Sequence, residues 1–301
     1  MSKQHIFKKK LLSWSIKNTR EYSWRNTQDP WKILLLEVIS QQTQLDRANK
    51  YYQKFIREFP SPNEMSKATK KEILGMWSGL GYNSRAVRLH EASKILSKNS
   101  FDSIYPEFDI LPGVGEYTKN AILSFAYNDK VIPQDTNVLR VFSRFFGTKD
   151  PKKFILENQK NILKNIKSRK FNEVLMDFGS KICTSKNPLC NICIFGNECK
   201  KFIQVKQSPQ PTFKGSDREI RGKIIKHLIV NKNVDIFSLN MIIETEENRL
   251  KHILKKLEML RTLFNLYELF TFIIKYTYIA RRIFRCTNLR TKVHQHFIKF
   301  S

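Results

Sequence analysis

Residues 111–138 read LPGVGEYTKNAILSFAYNDKVIPQDTNV. A Pro-Gly-x-Gly turn opens directly into a helix-patterned run, and a lone aspartate, Asp135, precedes a second such run. Glycines at 113 and 115 let backbone N–H groups converge, and the helix end behind them adds partial positive charge. A turn of this kind suits an anion such as phosphate. Asp135 before Thr-Asn-Val has two readings: an ordinary N-cap, or an acid that takes part in chemistry.

Working outward, the chain of 301 residues carries 54 Lys+Arg against 27 Asp+Glu, a formal net charge of +27. An excess of this size points to a polyanion, with nucleic acid the commonest. A compositional bias toward lysine and an anionic membrane surface are the other readings. Hydrophobic content of 41% with only 10 Gly and 10 Pro indicates folded, helix-rich protein. The start, MSKQHIFKKKLLSWS, lacks the apolar run and cleavage site of a signal peptide. The most apolar later stretch, 263–279, is broken by Glu268 and Lys275 and reads as core, not a membrane span. A cytoplasmic location is expected, with no membrane partner.

Apolar spacing of three and four predicts helices over 5–19, 31–39, 44–59, 70–78, 84–98, 116–127, 136–146, 151–167 and 171–182. Pro30 suits a helix start, and Gly147 a C′ position. No alternating strand pattern occurs in the first 200 residues, so the fold class is all-α. Glu37 sits in WKILLLEVI (31–39), where a carboxylate is costly unless protonated, paired or facing a pocket. A surface stripe is the competing reading. The Pro- and polar-rich stretch 204–216 reads as a linker. Leu250, Ile253, Leu254, Leu257 and Leu260 then form a helical stripe within a small basic module at 217–301, its 217–270 part open to a winged-helix arrangement, with a short strand or turn within 230–239.

Cys183, Cys190, Cys193 and Cys199 follow C-x6-C-x2-C-x5-C, whereas Cys286 stands apart as a free thiol. Four thiols packed so densely hold a metal more often than they form disulfides. Structural zinc and a 4Fe–4S cluster both accept four cysteines, and spacing alone does not separate them.

The turn, the aspartate about twenty residues on and the cysteine loop, in this order, resemble the helix-hairpin-helix base-excision glycosylases that carry an iron–sulfur loop. Within these the chain is most similar to the MutY-type adenine glycosylases. WRNTQDPW (24–31), EVISQQTQ (37–44), GLGYNSRAVRLH (79–90), LPGVGEYT (111–118), DTNVLRV (135–141) and MDFGSKIC (176–183) carry the resemblance, which spans essentially residues 20–200. It implies two helical units flanking a DNA cleft. One is an iron–sulfur-loop domain from 1–29 and 130–203; the other is a helical barrel with the hairpin, 30–129.

By position, the resemblance makes Glu37 the acid that protonates adenine and helps activate water. Asp135 stabilises the oxocarbenium-like sugar, and Asn137 lies close to both. Gln42 and Tyr82 push into the base stack, while Trp24 and Arg25 help form the base pocket and Asp177 touches the base. Gln41, Thr43, Leu80, Gly81, Leu111, Gly113, Val114, Gly115 and Thr118 fall on DNA-contacting motifs. Cys183, Cys190, Cys193 and Cys199 would ligate a 4Fe–4S cluster. The implied partner is double-stranded DNA with adenine opposite 8-oxoguanine or guanine, bound by a monomer. Glu37 in its apolar helix is expected to have a raised pKa, and Asp135 at a positive helix end to stay ionised, the two carboxylates being pushed in opposite directions.

Three departures from the family matter. Where lyase-type relatives place an amine nucleophile, this chain has Tyr117, with Lys119 two places on; a phenol cannot form a Schiff base, so a monofunctional glycosylase is expected. Gln134 stands where an apolar residue is usual. Residues 206–301 lack the strand alternation of the Nudix-like domain that reads 8-oxoguanine, so preference for that base over guanine is open. A T/G or U/G mismatch glycosylase and a non-catalytic DNA-damage binding module are the rival functions.

Overall fold

The structure is a computed structural model that describes residues 2–18, 20, 22–200, 212–231 and 245–259, with positions 239 and 243. Helices α1 (Lys3–Asn18), α2 (Pro30–Ser40), α3 (Leu45–Glu58), α4 (Pro62–Lys67) and α5 (Lys70–Trp77) lead into α6 (Ser84–Leu96) and α7 (Glu116–Phe125). After them come α8 (Thr136–Phe142), α9 (Pro151–Ile162), α10 (Ser168–Lys181), α11 (Asp217–Val230) and α12 (Glu247–Met259). No β-strand occurs among the described residues, as the sequence pattern predicts. None of their helices is long and apolar enough to cross a membrane. Most of the linker, the positions 232–238 read as strand or turn, Leu260, the apolar run 263–279 and Cys286 lie outside the described residues.

Two compact units divide the chain: 1–68 with 85–210, and 69–84 with 211–301. In the first, α2 starts where the Asp29 carboxylate accepts from Trp31 N–H, with Pro30 in the first helical position. The helix is apolar nearly all round and is buried accordingly, through Trp31, Ile33, Leu34, Leu35, Val38 and Ile39. Glu37 is buried with them at 8% exposure, which decides between its two readings: it is not on a solvent stripe.

The other half of this unit is held by phenylalanines. Phe7 of α1 is fully buried and packs on Phe142, Phe145, Phe146, Phe171 and Phe195, ring centroids 4.8–6.2 Å away. Phe142 ends α8, and the chain then widens into a π turn at Ser143–Gly147 where the spacing predicts continued α-helix. Gly147 closes that turn in the left-handed region, φ 74°. Helix α9 stops at Ile162, short of the predicted 167, and α10 starts three residues before the predicted 171.

Gly179 of α10 sets the approach of α10 to α8. A Cβ there would stand 2.9 Å from the Asn137 Cβ, so a side chain would drive the helices apart. In the second unit α5 packs on α11 and α11 on α12, burying Ile73, Leu74, Ile224, Ile225, Leu250 and Ile253.

Phe7→Ala removes the ring shared by these aromatic contacts and is expected to cost about 3–5 kcal/mol, read by denaturant unfolding. A loss below about 1 kcal/mol would show that α1 is not part of the core.

Candidate active site

Glu37 on α2, Tyr117 on α7 and Asp135 at the start of α8 all belong to the first unit. Burial raises the Glu37 carboxyl to about 7; a hydrogen bond with Tyr117 works against this, and the nearby Asp135 charge adds to it. The Tyr117 phenol is itself pushed well above its usual range by burial and by both carboxylates. A phenol that stays protonated can donate to Glu37 but offers no nucleophile.

Asp135 is the N-cap of α8, its Oδ1 accepting from Val138 N–H at 2.6 Å, while Oδ2 accepts from the Asn137 amide at 3.2 Å. The capping reading is therefore correct, and it coexists with a place beside Glu37. The expected direction of its pKa is not. Burial raises the Asp135 carboxyl, outweighing the hydrogen bonds from Val138 and Asn137 and the Arg140 charge that lower it. Glu37 and Asp135 are pushed the same way, because desolvation exceeds what a helix end supplies.

Behind Asp135 lies a chain of polar contacts that the motif reading did not anticipate. The buried Arg140 donates from Nη2 to Asn137 Oδ1 at 2.7 Å and to Gly179 O at 2.8 Å, and from Nε to Cys183 O at 2.7 Å. One turn on, Arg144 Nη1 donates to Thr184 O at 2.7 Å and lies 3.4 Å from Cys183 Sγ. Only the i, i+3 spacing from Asn137 could have flagged Arg140 in the sequence.

The four motif cysteines line one pocket with Arg144, Phe145, Phe178 and Phe195. Burial pushes the Cys193 thiol up, and Cys183 and Cys190 push it the same way. Among the described residues, no three His, Cys, Asp or Glu side chains converge on a single-ion site.

The hairpin spans 111–115: Val114 N–H donates to Leu111 O at 3.1 Å, and Gly113 is left-handed at φ 86° with its Cα against Arg88. Leu111, Val114 and Thr118 bury their side chains, so the hairpin presents backbone to solvent, and no atom lies within 4 Å of a Cβ placed on Gly115. Gln42 is exposed and left-handed, φ 53°, after Gln41 ends α2. Thr43 closes that turn through N–H to Ser40 O at 3.1 Å. Arg85, another residue the motifs did not single out, holds the turn: its Nη1 donates to Val38 O, Ile39 O and Gln41 O at 2.6–3.2 Å.

Trp24 is buried and stacked on Tyr22 at 4.3 Å. Arg25 grips the buried Asp177 with both nitrogens at 2.9 Å. Leu80, Gly81 and Tyr82 belong to the second unit, where Leu80 is buried and Tyr82 exposed.

Residues 35–164 match the family described as HhH-GPD superfamily base excision DNA repair protein. The chain is 31% identical to the adenine DNA glycosylase of Mycobacterium tuberculosis over 74% of its own length and 78% of that protein. The chain belongs to the MutY-type adenine DNA glycosylases. Its match to the family member of Buchnera aphidicola is 37% identical over 67% of this chain but spans only 57% of that longer relative. A solved thermostable thymine-DNA glycosylase matches the fold with a TM-score of 0.61 and 29% identity over 66% of this chain and 95% of that one. The family match covers Glu37, Tyr117 and Asp135, and Arg140 joins Asn137 to the start of the cysteine loop.

A Glu37 acid titrating near 7 has a pH signature. The rate at limiting protein is expected to fall about tenfold per unit above that pH as the proton is lost. Tyr117→Phe deletes the bond that favours the carboxylate, so the falling limb moves to higher pH. A limb that stays put or moves down would show that the phenol does not govern Glu37.

Proposed function

We propose that this protein is a monofunctional adenine DNA glycosylase that removes adenine mispaired with 8-oxoguanine or guanine in base-excision repair. The observation that carries the reading is a buried carboxyl near neutrality, Glu37, placed with Tyr117 and the capped Asp135 in a chain of this family.

Cleaving an N-glycosidic bond needs a proton for the departing base and a negative charge under the sugar cation. Glu37 gives its proton to the adenine ring as the C1′–N9 bond breaks, and adenine leaves with the bonding pair. Asp135, its carboxylate held by Val138 N–H and Asn137, faces the positive sugar. That cation restores the preference for ionised Asp135 which burial weakens. Water adds to C1′ and yields its proton to the Glu37 carboxylate, returning the starting state. Tyr117 keeps Glu37 oriented and forms no covalent bond to the sugar.

The base must leave the helix to be reached. Gln42 and Tyr82, exposed and at positive φ, are the side chains we assign to the gap it leaves. Gly113, Gly115 and the start of α7 hold a phosphate through backbone N–H groups, and Trp24 and Arg25 wall the base pocket. Lys and Arg on the surface neutralise further phosphates, so binding weakens steeply with salt.

The thiols of Cys183, Cys190, Cys193 and Cys199 fit a 4Fe–4S cluster. They line one cavity and supply the four thiols that such a cluster takes. Bound there, the cluster supplies cross-linking of the loop through iron–thiolate bonds. The purified protein is expected to contain iron and acid-labile sulfide in equal amounts. Zinc in their place, or neither, would overturn the assignment.

Likeness to a thymine-DNA glycosylase favours T/G or U/G mismatch repair as the second reading. Single-turnover cleavage of A:8-oxoG, A:G, T:G and U:G duplexes separates them, and adenine should be released alone. Glu37→Gln is expected to abolish release while duplex affinity stays within about threefold. A mismatch binder without chemistry would release no base from any duplex, and borohydride trapping of a covalent adduct would refute the monofunctional assignment.

A further inference from the structure

We propose that Arg218 of the C-terminal module is a positioning residue for Tyr82, so that the module shapes the side chain that enters the DNA stack. The proposal rests on the assignment of Tyr82 to that gap.

Tyr82 ends a loop with unusual backbone. Gly79 and Gly81 are left-handed at φ 97° and 72°, and Tyr82 follows at φ 49°. A residue with a side chain is uphill in that region and persists there only when its surroundings over-determine it. Part of the hold is local: Trp77 Nε1 donates to Gly81 O at 2.9 Å and Leu80 N–H to Trp77 O at 3.0 Å. The ring itself is 38% exposed, so core packing does not fix it.

The phenol is held instead from residue 218. Arg218 Nη1 donates to the Tyr82 hydroxyl at 2.8 Å, and its Cζ lies 5.6 Å from the Tyr82 ring centroid and 6.0 Å from that of Phe213. A guanidinium between two rings gains cation–π attraction as well as the charged hydrogen bond.

Arg218 is in turn fixed by its own segment. Ser216 Oγ donates to Phe213 O at 2.6 Å, and Gly215 N–H to Glu219 Oε2 at 2.7 Å. Arg249 of α12 donates to Gly215 O at 2.7 Å and to Asp217 Oδ1 at 2.9 and 3.0 Å. Helices α11 and α12 thereby brace one arginine against one tyrosine. All of these residues lie in the second unit, which joins 69–84 to the C-terminal module although more than 120 residues separate them.

A wedge works best when its side chain is ordered before DNA arrives, since ordering at that moment subtracts from the energy available for unstacking. Arg218→Gln and Tyr82→Phe each break the same hydrogen bond from opposite ends, and neither removes buried volume.

In the DNA-free full-length protein, amide hydrogen exchange over 79–83 is expected to rise about three- to tenfold in Arg218→Gln. In single-turnover assays on A:G duplex, each variant should slow excision at saturating protein by a similar factor. The double variant should be no slower than the worse single one, and Arg218→Lys should recover part of the rate. Unstacking, read by 2-aminopurine fluorescence at the adenine position, should fall in parallel. Unchanged exchange in Arg218→Gln, or single effects that multiply in the double variant, would overturn the proposal. The exchange rise in Arg218→Gln, found together with a wild-type protein that releases no adenine, would refute the adenine reading and leave the clamp standing.

Discussion

Burying two carboxylates close together is the constraint on which the rest of this structure depends. Burial raises both Glu37 and Asp135 from their ordinary values, and the Asp135 charge raises Glu37 further. Such a pair is tolerated only where every remaining acceptor is engaged. The phenol of Tyr117 serves one, and the end of α8 with Asn137 serves the other. Three separate helices must therefore end or pass at one place.

Arginine does much of the fixing. Arg85 caps the end of α2, and Arg140 ties Asn137 to the cysteine loop. Arg144 holds that loop, and Arg169 donates to Phe125 O and Trp24 O at 2.9 and 3.0 Å. Each guanidinium gathers several acceptor oxygens from separate segments, which a lysine could not do in the same fan-like way. Part of the large basic excess is thus structural. The net charge alone, read as a footprint for nucleic acid, overstates how much of it faces a ligand.

The second unit gives the C-terminal module a place in the same economy of contacts. Its helices α11 and α12 pack with α5 and its loop, a segment that motif reading assigns to the DNA-facing part of the family pattern. The described residues of the module include the helices α11 and α12.

The sequence by itself determined the helical class, the helix starts at Pro30, Thr136 and Pro151, the hairpin and the clustering of four cysteines. These rest on local rules: apolar spacing, capping side chains, glycine backbone and residue counting. It left Glu37 between surface and core, and Asp135 between cap and acid, since both readings use the same few residues. Only tertiary packing buried Glu37 against Tyr117 and set the capping Asp135 near it. It also reversed the expected pKa direction of Asp135, because a helix end is a local effect whereas desolvation is set by everything packed around the group. Arg85, Arg140 and Arg218 escaped the motif reading for the same reason: an arginine's partners here are carbonyls, amides and a phenol contributed by distant segments, and no spacing along the chain encodes them.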